Sequence, residues 1–112
     1  MKIKIKSIEL QYFSDCPNWK RALSGLKKVL KGLGIGTPIQ VTLIKDEAEA
    51  VARNFLGSPT IKIDGQDVKR VGGEPFFGCR IYRFEGKNYG YPLPKMIRQF
   101  LLHLNNRKIQ KA

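Results

Sequence analysis

Cysteine is scarce in this chain. Only Cys16 and Cys79 occur in 112 residues, beside a single histidine, His103. Two cysteines make no disulfide framework, and with one histidine they cannot complete a tetrahedral zinc site within one chain. Long apolar runs are missing too, so no membrane-spanning helix is expected. The basic start, Met1 to Lys6, lacks the continuous apolar stretch of a signal peptide, which points to a cytoplasmic location. In a reducing compartment the two cysteines are expected as reacting thiols or as core residues. Acidic residues are few: nine Asp and Glu face 21 Lys and Arg, a formal net charge of +12. That balance favours acidic macromolecules as partners, or simply solubility. No compact Lys/Arg block is interleaved with aromatics, and there is no specific nucleic-acid motif. No phosphate-binding glycine loop is present either. Gly32-Leu33-Gly34-Ile35-Gly36 follows a helix instead of opening one and reads as a connector. Nothing implies a cofactor.

Hydrophobic residues make up 42% of the chain, enough for one packed core. The expectation is a single domain over residues 1–112 with a basic tail from about 105 to 112. Residues 8–13 alternate and then turn apolar, as in a strand, and the Lys-Ile alternation before them continues the pattern. Ser14-Asp15 reads as a turn and helix-capping pair, and Pro17 suits the first turn of a helix. Trp19, Leu23, Leu26, Leu30 and Leu33 follow at helical spacing up to Gly32 and Gly34. Ile39–Ile44 reads as a second strand. Asp46 and Glu49 cap a helix expected over 47–56, with Ala48, Val51, Ala52 and Phe55 as its buried stripe. Thr60–Ile63 is a third strand, and Asp64-Gly65 a hairpin turn signal. A long loop over 66–78 leads to a fourth strand at Cys79–Phe84. Turn-rich sequence through Gly86, Gly90 and Pro92 precedes a helix from about Pro94, buried through Met96, Ile97, Phe100, Leu101 and Leu104. The order β-α-β-α-β-β-α predicts an α/β fold: a four-stranded mixed sheet with helices on both faces.

Cys16 stands where the first strand becomes the first helix. A thiol at a helix start faces unpaired backbone N–H groups and the positive end of the helix dipole, and both favour thiolate over thiol. The neighbouring carboxylate of Asp15 opposes this. Trp19 shares the buried helix face and is expected to pack, its ring edge bordering the thiol. Tyr12 and Phe13 read as strand core.

Tyr12-Phe13-Ser14-Asp15-Cys16-Pro17-Asn18-Trp19, followed by Gly57-Ser58-Pro59-Thr60 at the start of the third strand, resembles the thioredoxin-like superfamily over roughly residues 8–104. The first segment resembles its Cys-x-x-Cys turn, with Trp19 where the second cysteine would be. Pro59-Thr60 resembles its cis-proline site beside the active-site cysteine. The resemblance implies a cis Ser58–Pro59 bond. It also implies substrate contacts from Ser58, Pro59, Thr60, Pro17 and Trp19, and monothiol exchange at Cys16 with a protein or glutathione as thiol or disulfide substrate. Cys79 is either a second thiol that resolves the mixed disulfide or a strand cysteine. Simple strand geometry puts it at the far end from Cys16 unless the loop over 64–78 carries it back. A weaker resemblance links Asp15, Cys16 and Cys79 to the catalytic domain of organomercurial lyases. It implies soft-metal chemistry on two thiolates, with Asp15 as proton donor. A non-enzymatic binding module on the same fold is the third alternative.

Overall fold

The structure is a computed structural model; it describes residues 4–69 and 73–110, with side chains as far as Asn105 in the last helix. Met1–Ile3 of the N-terminal alternation, residues 70–72 of the loop, and Lys111 and Ala112 of the expected tail lie outside the described residues.

A mixed sheet organises the chain. Strand β1 (Ile8–Tyr12) runs parallel to β2 (Ile39–Leu43), with Ile8 beside Ile39 and Leu10 beside Val41. A parallel pair needs a crossover, and α1 (Trp19–Gly32) supplies it. On its other side β1 is antiparallel to β3 (Thr60–Ile63), with Ile8 opposite Ile63. Asp64 and Gly65 both adopt positive φ, as a two-residue hairpin turn of this hand requires. They fold the chain back into β4 (Gln66–Asp67), and the sheet order is β2-β1-β3-β4.

The fourth strand is therefore Gln66–Asp67 and not the expected Cys79–Phe84. The Asp64-Gly65 turn fills the edge beside β3 before the later segment reaches it. Tyr82–Phe84 (β5) pairs instead with Lys87–Tyr89 (β6) in a separate hairpin, turned by Glu85 and Gly86 at positive φ.

Helix α1 ends where its glycines predict. Gly34 takes φ +68°, its N–H donates to the Lys31 carbonyl, and the Ile35 N–H donates to the Leu30 carbonyl at 2.9 Å. Helix α2 (Glu47–Ala52) starts as expected, with the Glu49 N–H donating to Asp46 Oδ1 at 2.8 Å. It stops short of the expected 56. Asn54 turns left-handed, and the Phe55 N–H donates to the Ala50 carbonyl at 2.8 Å. This reversal puts Phe55 under Ala50, so these two are buried, while Ala48, Val51 and Ala52 face solvent. Helix α3 (Pro94–Gln110) takes in most of the expected tail; Asn105 is buried within it.

The main core lies on the sheet face of Ile8, Leu10, Ile61 and Ile63. Leu26, Val29 and Leu30 of α1 and Ile97, Leu101 and Leu104 of α3 cover it. The strand alternation, continued one step, puts Phe13 and Ile44 on the opposite face. There they meet Ala50, Phe55 and Phe77 in a smaller cluster. Among the described residues no helix is long and apolar enough to cross a membrane.

Candidate functional site

Cys16 lies just ahead of α1 and not on its first turn. Helix α1 opens at Trp19 with Asn18 as N-cap, and the Cys16 N–H closes a turn onto the Phe13 carbonyl at 3.1 Å. Pro17 donates no N–H, and the first helical bond runs from the Ala22 N–H to the Asn18 carbonyl. The expected capping by Ser14-Asp15 is accordingly absent: both residues sit in the preceding turn and are exposed. The Cys16 side chain points inward and is 1% exposed. Its S–H donates to the Ser58 carbonyl at 3.7 Å.

The Ser58–Pro59 bond is cis. The loop around it is saturated by this chain's own groups. Ser58 Oγ accepts the Phe13 N–H at 2.9 Å, which ties the loop to the end of β1. The Ser58 N–H donates to the Gly78 carbonyl at 2.7 Å, and the Ser58 carbonyl accepts the Arg80 N–H at 2.9 Å. Ser58 and Cys79 thus form a parallel bridge. The Pro59 carbonyl accepts the Tyr82 hydroxyl at 2.5 Å. Thr60 donates its hydroxyl to the Gly57 carbonyl at 2.6 Å and accepts from Arg80 Nη1 at 3.1 Å. Ser58, Pro59 and Thr60 are buried, so the edge expected to contact substrate is occupied by residues 78–80.

That pairing brings the two cysteines together. The route is the hairpin at Asp64-Gly65: with the sheet edge already filled, the chain after Asp67 crosses back toward the cis-proline loop. Cys79 is exposed, whereas Cys16 is buried. Ser58 holds both cysteines, and the Cys16 side chain, together with partial burial and the negative charges of Cys16 and Asp15, pushes the Cys79 thiol from 9.0 up to about 11. Asp15 therefore acts electrically on Cys79. Among the described residues no group of three His, Cys, Asp or Glu side chains is arranged to hold a metal ion.

Arg80 and Tyr82 were not expected in this role. Arg80 is buried, pairs with Asp67 (Nη1 to Oδ2, 2.7 Å), donates to the Lys69 carbonyl at 2.8 Å and lies over the Tyr82 ring at 4.5 Å. Tyr82 is fully buried. Between them they fix the strand that carries Cys79. The available signal was alternation in Cys79-Arg80-Ile81-Tyr82: Cys79 and Ile81 point out, Arg80 and Tyr82 point in.

Pro17 and Trp19, the other two expected contact residues, line an open cleft of about 370 Å³ with Tyr12, Ser14 and Lys20. Trp19 stacks on Tyr12 at 4.2 Å between ring centroids, and Phe13 meets Phe77 edge-on at 4.7 Å. Compared with family models, with curated proteins and with solved structures, the chain finds no match.

Proposed function

We propose that this chain is a thioredoxin-like thiol–disulfide exchange protein whose working unit is the Cys16–Cys79 pair, with Cys79 as the sulfur that meets the substrate. The observation that carries the proposal is that Ser58 mounts one buried and one exposed cysteine side by side: its carbonyl accepts the Cys16 S–H, and its backbone bridges Cys79. Exchange needs an accessible sulfur for the intermolecular step and a neighbouring one for resolution. Cys79 meets the first need and Cys16 the second, which reverses the roles expected from sequence. The cis Ser58–Pro59 bond, the cysteine just ahead of α1 and the mixed four-stranded sheet support the superfamily resemblance.

In the reducing direction, which the raised Cys79 thiol makes slow at neutral pH and faster toward alkaline pH, the Cys79 thiolate attacks one sulfur of an external disulfide. The substrate S–S bond breaks, and its other sulfur leaves and takes up a proton. The Cys16 thiolate then attacks the Cys79 sulfur, forming the Cys16–Cys79 disulfide and releasing the second substrate thiol. Two electrons pass from the pair to the substrate. The reverse begins with an external thiolate at the exposed Cys79 sulfur. The occupied cis-proline edge favours a small thiol such as glutathione, or a flexible protein cysteine, over a substrate that must add a strand.

The test is equilibration with defined mixtures of reduced and oxidised glutathione, acid trapping and mass mapping. The wild type forms the Cys16–Cys79 disulfide. Cys16→Ser accumulates a glutathione adduct at Cys79, and Cys79→Ser accumulates little at Cys16. Failure to form the disulfide, or equal adducts in the two variants, overturns the proposal.

The same thiol contact favours a second reading, binding of a thiophilic ion such as Hg(II) or Cu(I) between two sulfurs. Such an ion would be two-coordinate, and equilibrium dialysis tests it: loss of either cysteine abolishes tight binding if the site is shared.

A further inference from the structure

The net charge is unevenly placed. Helix α1 contains five Lys and Arg residues and α3 four, and neither helix contains a single acid. These two elements therefore hold nine of the net twelve positive charges. All nine carboxylate side chains lie elsewhere in the chain.

Helical geometry concentrates this charge further. At about 100° per residue, Lys20, Arg21, Lys27, Lys28 and Lys31 fall within an arc of roughly 120°. Ala22, Leu26, Val29 and Leu30, turned to the core, occupy the opposite side. All five cations are exposed. Helix α3 crosses beside this arc, where Gly25 admits Pro94: a Cβ on Gly25 would lie 3.2 Å from Pro94 Cγ. Arg21 and Lys28 flank Gly25 in sequence, and α3 adds exposed Lys95 and Arg98 within a turn of Pro94. Among the described residues none of these seven cations is paired with a carboxylate.

We infer that the α1/α3 face docks on the phosphate backbone of duplex nucleic acid, independently of base sequence. The row from Lys20 to Lys31 is about 16 Å long at 1.5 Å per residue. A duplex presents one charge per about 1.7 Å of its axis, so that row faces a dense phosphate line along its whole length. The face lacks the apolar residues with which an amphipathic helix enters a lipid surface. The large exposed hydrophobics, Val41, Leu43, Val51, Phe76 and Ile81, all lie outside α1 and α3. Contacts of lysine and arginine to phosphate position a protein without reading bases, which fits the absence of a recognition motif.

The experiment is fluorescence anisotropy of the full chain with a short labelled DNA duplex of mixed sequence over a salt series. With about five phosphates contacted, log K falls against log salt with a slope of about −4 to −5. The triple variant Lys27→Glu, Lys28→Glu, Lys31→Glu binds at least about tenfold more weakly, and its slope is shallower by about 2 to 3. A second triple variant, Lys6→Glu, Lys45→Glu, Lys87→Glu, makes the same change in net charge outside the two helices and loses less than about threefold. All six side chains are exposed, and circular dichroism verifies that both variants fold. Equal losses in the two variants overturn the inference, since net charge alone would then explain binding. So does absence of duplex binding, with or without capture by phosphatidylserine vesicles.

Discussion

Ser58 and Cys79 lie side by side on two parallel stretches of backbone, joined by hydrogen bonds of 2.7 and 2.9 Å to the residues flanking Cys79. The bridge holds an exposed thiol against a buried one. Ser58 is bonded to both cysteines' surroundings: its carbonyl accepts from the Cys16 S–H and from the Arg80 N–H. The cis-proline loop is thus the piece on which both sulfurs are mounted.

The first prediction concerns the pH at which Cys79 reacts. Its thiol is raised to about 11, first by the neighbouring Cys16 side chain and then by burial and the charges of Cys16 and Asp15. Alkylation of Cys79 by iodoacetamide should therefore be slow at neutral pH and climb about tenfold per pH unit until near 11. Cys16→Ala removes the largest of these influences, so the midpoint falls toward 9.0. Mass mapping of alkylated peptides across a pH series measures both midpoints. An unchanged midpoint in the variant would place the thiols apart.

A second prediction tests the packing behind the loop. Gly57 has φ +110°, and a Cβ there would stand 2.8 Å from Arg80 Cβ. Gly57→Ala combines backbone strain with a clash against a residue held at both ends, and should cost at least about 2 kcal/mol. Gly32→Ala is the contrast. Nothing lies within 4 Å of a Cβ at Gly32, and alanine gains about 0.5–1 kcal/mol of helix preference. Urea denaturation separates the two variants.

Where the fold followed local signals, the sequence was legible. The α1 stripe, the Gly34 stop, the Asp46–Glu49 cap and the Asp64-Gly65 turn depend on neighbours within a few residues, and each stands where it was expected. The errors arose where one segment competed with another. Tyr82–Phe84 has strand character, but the sheet edge it was assigned to is filled by Gln66–Asp67, which two residues alone do not announce. The hairpin at Glu85-Gly86 carried a usable signal, a two-residue turn between Tyr82, Phe84 and Tyr89. The meeting of Cys16 with Cys79 depends on that edge competition, so local sequence alone leaves it open. The sealing of the cis-proline loop by Arg80 and Tyr82 needs a buried arginine, which composition disfavours until its partner Asp67 is in view.

That ion pair supports the third prediction. Arg80 and Asp67 are both largely buried, and Arg80 also serves Thr60 and the Lys69 carbonyl. Arg80→Ala strands a buried carboxylate and should cost about 3–5 kcal/mol. An Arg80→Met, Asp67→Leu double variant removes both charges and should recover part of that loss. The Arg80 side chain anchors the strand whose backbone bonds Ser58, so its loss should also slow formation of the Cys16–Cys79 disulfide under a fixed glutathione mixture. Chemical denaturation and timed acid quenching read the two effects separately.

The last prediction is alkaline. Burial pushes the Tyr82 hydroxyl well above its ordinary 10.0, overriding the opposing influence of Arg80. In the unfolded chain the phenol ionises near 10, so between about 10 and the higher native value the folded state binds more protons than the unfolded one. Stability then falls as pH rises. The same sign applies to Cys79 between 9.0 and about 11. Both contributions are fully present below pH 9, and the decline should steepen once tyrosine joins in. Tyr82→Phe loses the hydrogen bond to the Pro59 carbonyl and leaves that acceptor buried, a cost of about 1–3 kcal/mol at neutral pH. Because phenylalanine cannot ionise, the variant's stability should decline less steeply above pH 10, and the gap to wild type should narrow. Urea midpoints measured from pH 7 to 11 give the two curves. Parallel curves would mean that Tyr82 ionises as freely in the folded protein as in the unfolded chain, and that the hydroxyl does not close the loop over Pro59.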